Sequence, residues 1–185
     1  MPSSTTPPSA APIFSPSLLP APLPTALPPG FTLRPLTHQD YHKGYLDCLA
    51  VLTHVGALTQ QEWDERYAEM AQLARGTYYL LVIEHDASQT IIGTGSLVVE
   101  RKFIHNRGLV GHIEEIAIAP SHQAKGLGLA MLNALDAVAR QVGCYKNILN
   151  CGAKNEPFYV KCGYHNSGIE MSRYFEEAKD DYHRG

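Results

Sequence analysis

Two neighbouring features of the 185-residue chain have the types and spacing to do chemistry. The first is the run Gln123-Ala124-Lys125-Gly126-Leu127-Gly128-Leu129, which follows a β-like stretch ended by Pro120 and opens a long helical pattern. The first-turn amides of a helix have no internal partner and carry partial positive charge. Phosphate oxygens bind well at such an end. Glycines let an anion approach the backbone closely, and Lys125 adds a cation. A P-loop requires Gly-Lys-Ser/Thr, but leucine follows Gly126. A dinucleotide fingerprint requires a third glycine where Met131 stands. The plain alternative is a glycine-containing helix start that holds no ligand.

The second feature is Glu114-Glu115, just upstream of Ile116-Ala117-Ile118. Ile116 and Ile118 share a face at period two, and Ile113 falls out of phase with them. One extra residue restores the phase, so the pattern predicts a β-bulge at Glu114-Glu115. A bulge splays strands and leaves a backbone amide free near Ile116. Two adjacent carboxylates raise one another's pKa, which suits Glu115, backed by Glu114, to accept a proton directly or through water. An edge strand with two solvated glutamates is the plain alternative. Tyr159, in a short helical pattern further on, has a phenol that can donate a hydrogen bond or a proton. Cys151 and Cys162 have no evident His-Asp partner for nucleophilic chemistry.

These residues need a scaffold, and the pattern supplies one. Phe31 to Leu36 alternates as a strand. A helix follows from Thr37 or His38 to about Leu52. Thr59 and Glu62 form a capping box for a second helix to about Arg75, stopped at Gly76. Tyr78 to Glu84 and Thr90 to Phe103 read as a hairpin. His112 to Ala119 is a strand and Gly126 to Val142 a helix. Lys146 to Cys151 is a strand, Asn155 to Cys162 a short helix, and Tyr164 to Phe175 a closing strand. Two late strands joined through a helix imply a parallel step. The fold class is therefore α/β of the α+β type: a central mixed, strongly twisted sheet, splayed at a bulge and flanked by helices.

Composition narrows the function classes. The net charge is −3 with histidine neutral, and 18% of residues are charged. No basic field argues for nucleic acid. No apolar run is long enough to span a membrane, and no signal-peptide pattern is visible. The four cysteines form no CxxC pair and no metal-ligand spacing, so no metal is expected and reduced cytoplasmic thiols are. Residues 1–30 hold ten of the 13 prolines and no charged side chain, which reads as a disordered tail or a proline-rich ligand for a partner. Residues 31–185 form one domain.

Gln123-x-x-Gly126-x-Gly128 after a strand resembles the coenzyme A pyrophosphate loop of the GNAT acetyltransferases. Further segments resemble eukaryotic glucosamine 6-phosphate N-acetyltransferases: Gly111-His112-Ile113-Glu114-Glu115-Ile116-Ala117, Gly143-Cys144-Tyr145-Lys146, Lys154-Asn155-x-x-Phe158-Tyr159-x-Lys161-Cys162-Gly163-Tyr164, Val51-Leu52-Thr53-x-Val55-Gly56 and Glu100-Arg101-Lys102-x-Ile104-His105. Together they span roughly residues 30–175.

The resemblance implies a GNAT fold and transfer of an acetyl group from acetyl-CoA to the amine of glucosamine 6-phosphate, toward UDP-GlcNAc, in a ternary complex. Ile116, Ala117, Ile118, Gln123, Ala124, Lys125, Gly126, Leu127, Gly128, Leu129, Asn155 and Tyr159 would hold the cofactor. Glu114, Glu115, the Ile116 amide and Tyr159 would be catalytic. Thr53, Lys102, Phe103, Ile104, His105, Glu114, Glu115, Tyr145, Lys146, Asn150 and Arg173 match sugar-phosphate positions. The resemblance also implies a homodimer with the C-terminal strand at its interface. Two positions depart from the pattern. Asn150 stands where relatives carry an acid, and Tyr174 occupies the place of an arginine, with Arg173 adjacent. Another small primary amine, or a module that binds coenzyme A without turnover, are the remaining alternatives.

Overall fold

A computed structural model describes residues 11–73, 75–175, 179–180 and 182. Strand β1 (Phe31–Pro35) leads through a 3-10 turn (His38–Lys43) into α1 (Tyr45–Leu49). The sequence pattern suggests one helix here. Gly44 interrupts it with φ 81°, a left-handed conformation that glycine adopts without steric cost. Helix α2 (Gln60–Ala68) begins at Thr59, whose capping box with Glu62 is formed as expected. It continues into a π-helical turn (Glu69–Leu73).

The hairpin is β2 (Tyr78–His85) and β3 (Thr90–Arg101). A single turn, α3 (Ile104–Arg107), carries positive φ at His105, Asn106 and Arg107. Then come β4 (Leu109–Ile118), α4 (Leu127–Val142), β5 (Cys144–Ile148) and α5 (Glu156–Lys161). Strand β4 starts three residues earlier than its apolar pattern suggests, and β5 two residues earlier. The first residues of β5 pair with β4, Leu109 opposite Cys144, and those of β4 pair with β3 as well, Leu109 opposite Arg101.

The sheet order is β1-β2-β3-β4-β5. The first four strands are antiparallel and β4–β5 is parallel. Helix α4 packs on β2, β3, β4 and β5, with Leu127, Met131, Leu135 and Val138 buried at its contact face. Helix α1 lies on β3 and β4 from the other side. Arg34 bridges Asp40 at 2.7 Å and Glu84 at 2.6 Å, and Lys43 reaches Glu84 at 2.7 Å. These bonds tie β1, β2 and the 3-10 turn together.

Two expectations are corrected. Residues 164–175 are not a strand in this chain: they run irregularly beyond β5. Their apolar side chains do not lie on the sheet, and Ile169 and Met171 are each 93% exposed. A strand forms only where it finds an edge to pair with, and this segment does not return to β5.

Residues 11–30 are not a disordered tail. Ile13 N–H donates to Leu36 O at 2.8 Å, Pro12 bridges Thr37, and the Tyr67 hydroxyl donates to Ala11 O at 2.8 Å. Ile13 and Phe14 are buried in the core, with Leu18, Leu19, Leu23 and Leu27 packed against it. Asn133 of α4 donates to Thr25 at 2.7 Å. Proline excludes helix but not an extended path. Regularly placed apolar side chains can pin such a path to a sheet without a hydrogen-bond ladder of its own. Residues 1–10 lie outside the described residues.

Phe14 packs edge-on against Tyr79 at 5.3 Å between ring centroids. Replacing it with alanine should destabilise the domain by about 3 kcal/mol, read by equilibrium denaturation. A loss below about 0.5 kcal/mol, the scale of ordinary surface substitutions, would mean that the arm is not part of the core.

Candidate active site at the strand bulge

Thr94 pairs with Ala117 and Ser96 with Glu114, so Gly95 alone faces both Glu115 and Ile116. The bulge expected from the broken alternation is present, and Glu115 carries it with φ 55°. Two hydroxyls of β3 hold this residue. Thr94 Oγ1 donates to the Glu115 carbonyl at 2.9 Å, and Ser96 Oγ donates to Glu115 Oε2 at 2.8 Å. A Cβ on Gly95 would stand 2.9 Å from Ile116 Cδ1, 2.9 Å from Met131 Cγ and 3.0 Å from Leu135 Cδ1. Glycine is therefore required for the bulge to sit against α4.

Next to the bulge, the end of β4 runs into the glycine loop. Gly126 caps α4 with φ 78°, no side chain caps this end, and no acid lies in the first turn. Sixteen residues of aligned peptide units thus end on amides open to an anion. Ala124 adopts φ 61°. Gln123 Nε2 donates to Ile118 O at 3.0 Å, which fastens the loop to the strand. Lys125 lies over the Phe31 ring at 5.7 Å. A Cβ on Gly128 would meet Phe158 at 3.2 Å, so α4 and α5 approach closely just past the loop. Leu127 is 1% exposed and Ala117 3%. With Ile118 also buried, these positions face the loop and strand cleft with backbone only, because their side chains serve the core.

A groove of about 910 Å³ lies beyond β5. It is lined by Tyr159, Lys146, Asn150, Tyr164 and residues up to Met171. Asp136 at its floor accepts from Asn147 Nδ2 at 2.6 Å and from the Tyr164 hydroxyl at 2.7 Å. Burial pushes the Tyr159 phenol above its ordinary value, with Cys151, Cys162 and Glu114 adding to the rise. The phenol therefore stays protonated at neutral pH and remains a donor. Glu114 is raised above the usual carboxylate range by partial desolvation. Glu115 and Glu170 push it the same way, and His112 opposes them.

A GNAT-family acetyltransferase domain matches residues 32–164. Glucosamine 6-phosphate N-acetyltransferase from Candida albicans is 44% identical over 145 residues, covering 78% of this chain and 96% of that protein. The Dictyostelium discoideum enzyme of that name is 40% identical, covering 78% and 91%. The crystal structure of the Arabidopsis thaliana enzyme superposes with a TM-score of 0.76 at 38% identity, covering 79% of this chain and 99% of that one. This chain belongs to the glucosamine 6-phosphate N-acetyltransferase family of GNAT enzymes. Its fold is the GNAT fold, and the family uses acetyl-CoA. The packed arm before Gly30 precedes the matched domain. Among the described residues, no helix is long and apolar enough to cross a membrane.

Against that family, the expected sugar-phosphate residues fall into separate groups. Gly108 brings His105 and Tyr145 together, with ring centroids 4.6 Å apart, and Lys146 lies 5.9 Å over Tyr145. Lys146 pairs with Val110 of β4, four residues and so ~13 Å along the strand from Glu114. Lys102 is engaged by Glu100 at 2.7 Å, and Glu100 also meets His112 at 2.9 Å. Phe103 is 98% exposed and Ile104 is exposed beside it. Thr53 donates to the carbonyl of Tyr182. Arg173 lies over the Phe175 ring on the outlying C-terminal segment. Asn155 begins α5 without a side-chain cap bond.

Sequence reasoning missed Thr94, Ser96 and Tyr45, which surround Glu115. The small residues Gly93-Thr94-Gly95-Ser96 inside an apolar strand mark a close backbone approach. That mark could have located the clamp opposite the bulge.

Gly95→Ala should cost about 1–3 kcal/mol through overpacking against Ile116, Met131 and Leu135, measured by denaturation. Full stability in this variant would show that the bulge does not depend on glycine.

Proposed function

We propose that this protein transfers the acetyl group of acetyl-CoA to the 2-amino group of glucosamine 6-phosphate, giving N-acetylglucosamine 6-phosphate for UDP-GlcNAc synthesis in the cytoplasm. The bulge at Glu114-Glu115 beside the uncapped end of α4 carries this reading. The relatives' names supply the acceptor.

In this reading the cosubstrate's pyrophosphate rests on the amides following Gln123, among Ala124, Lys125, Gly126, Leu127, Gly128 and Leu129. The backbone of Ile116, Ala117 and Ile118 flanks its arm, and Asn155 and Tyr159 contact it from α5. Acetyl-CoA supplies an activated thioester. The substrate amine must lose a proton to attack it. In place of Glu115, the acceptor expected from the sequence, Glu114 takes the proton in this reading, since partial desolvation raises its pKa. A base of raised pKa captures a proton more readily near neutral pH. Glu115 attracts the ammonium. The Ile116 amide, released from the ladder by the bulge, stabilises the oxyanion. Tyr159 protonates or hydrogen-bonds the departing thiolate, a role favoured by a phenol held in its protonated form.

Lys102, Phe103, Ile104, His105, Tyr145 and Lys146 bind the phosphate and sugar, with Thr53, Asn150 and Arg173 completing the set. The ~13 Å between Lys146 and Glu114 along β4 supports a site completed by a second copy. We place the outlying segment 164–175, with exposed Ile169, Met171 and Phe175, on the partner's free β5 edge. A homodimer built this way brings Arg173 to the partner's substrate.

Thiol release from acetyl-CoA, measured with a panel of amines, tests the acceptor. Turnover confined to glucosamine 6-phosphate is expected, and equal turnover of a polyamine would overturn the assignment. Tyr159→Phe should lower kcat about 10²-fold, the scale of a lost general acid, while coenzyme A affinity by calorimetry stays within twofold. The acidic limb of kcat/KM should lie above the ordinary carboxylate range. Glu114 acts only when ionised and its pKa is raised, so activity is present above that pKa and lost as pH falls through it. A limb at or below the ordinary value would remove Glu114 as the base.

A further inference from the structure

Strand β3 is apolar and buried along most of its length, yet it places two hydroxyls opposite the bulge. Thr94 is fully buried and Ser96 is 4% exposed. Each spends its proton on the same residue: Thr94 on the Glu115 carbonyl and Ser96 on the Glu115 carboxylate. Glu115 is not glycine but sits at φ 55°, a conformation that persists only where its surroundings over-determine it. The alternation of β3 turns Gly95 toward α4 and Thr94 and Ser96 toward the opposite face, where α1 lies.

We propose that Thr94 and Ser96 form a hydroxyl clamp that fixes Glu115 in its left-handed bulge conformation and aims its carboxylate, making both of them positioning residues for acetyl transfer. This rests on the acetyltransferase reading above. The Thr94 bond holds the backbone and the Ser96 bond holds the side chain. The Ser96 bond thus aims the Glu115 carboxylate as the anchor for the substrate ammonium. Glu114 has no such donor among the described hydrogen bonds, and partial desolvation raises its pKa. The two glutamates thereby divide the work: one is a positioned anchor and the other a proton acceptor.

The titratable groups around the pair come from every adjoining element. Tyr45 faces Glu115 from α1, and His112 faces Glu114 from β4. Tyr159 faces it from α5 and Glu170 from the C-terminal segment. Tyr45 is raised by burial and then by the charge of Glu115, so it stays neutral beside the carboxylate.

The test combines crystal structures of the full chain with steady-state kinetics. Ser96→Ala should leave the Glu115 carboxylate in more than one rotamer and lower kcat/KM for glucosamine 6-phosphate about five- to tenfold, with KM for acetyl-CoA within twofold. Ser96→Thr, which keeps the donor, should restore both the single rotamer and kcat/KM. Thr94→Val should lower kcat/KM with the Ser96 bond to the carboxylate intact. A Glu115 carboxylate held in one place in Ser96→Ala, with kcat/KM within error of the unmodified protein, would overturn the clamp. So would a loss that tracks thermal stability and is not rescued by threonine. Should the alanine variant not fold, Ser96→Cys supplies a weaker donor of similar size, and an unmoved carboxylate there has the same consequence. If the unmodified protein does not acetylate glucosamine 6-phosphate, the substrate assignment fails while the crystal structures still decide the clamp.

Discussion

Two residues of β4 lie opposite one residue of β3, and most of the site's geometry descends from that mismatch. The extra residue turns Glu115 into the left-handed region and sets Glu114 and Glu115 beside the cleft. It also re-phases the strand so that Ile116 and Ile118 follow one face into the glycine loop. Gly95 makes room for it on the α4 side, and Thr94 and Ser96 hold it on the other. A regular ladder through the same residues would bury one glutamate in the core and keep the backbone donors paired.

The loop and the helix it opens form the second half of the device. Gly126 ends β4's excursion in a conformation that leaves the α4 terminus without a side-chain cap. Gln123 fastens the loop to the strand. Helix α4 is held by its buried stripe against four strands and, on its flank, by the N-terminal arm through Asn133 and Thr25. The arm belongs to the same core as the scaffold of the site, although it precedes the domain shared with the relatives.

Much of this was legible in residue order. The capping box at Thr59, the parallel step into β5, the glycine loop and the bulge all follow from local pattern and were found where the pattern put them. The C-terminal strand and the N-terminal tail were not. Segment 164–175 has the alternation of a strand, but a strand also needs an edge, and the position of that edge is a long-range fact. Residues 11–30 have the composition of a tail, but Ile13, Phe14 and four leucines find an uncovered surface. Composition cannot report whether such a surface exists. The gathering of His105, Tyr145 and Lys146 at one end of β4, away from Glu114, is likewise set by strand register.

By itself the sequence determined the chemistry available: adjacent carboxylates in a strand whose phase breaks, glycines at a helix start, and a tyrosine one helix later. These are local matters of period, backbone freedom and side-chain type. The tertiary structure alone decided which hydroxyls reach Glu115, which side chains of the loop are spent on the core, and which carboxylate is raised. Those outcomes depend on what packs across from each residue, and a partner dozens of positions away leaves no trace in local spacing.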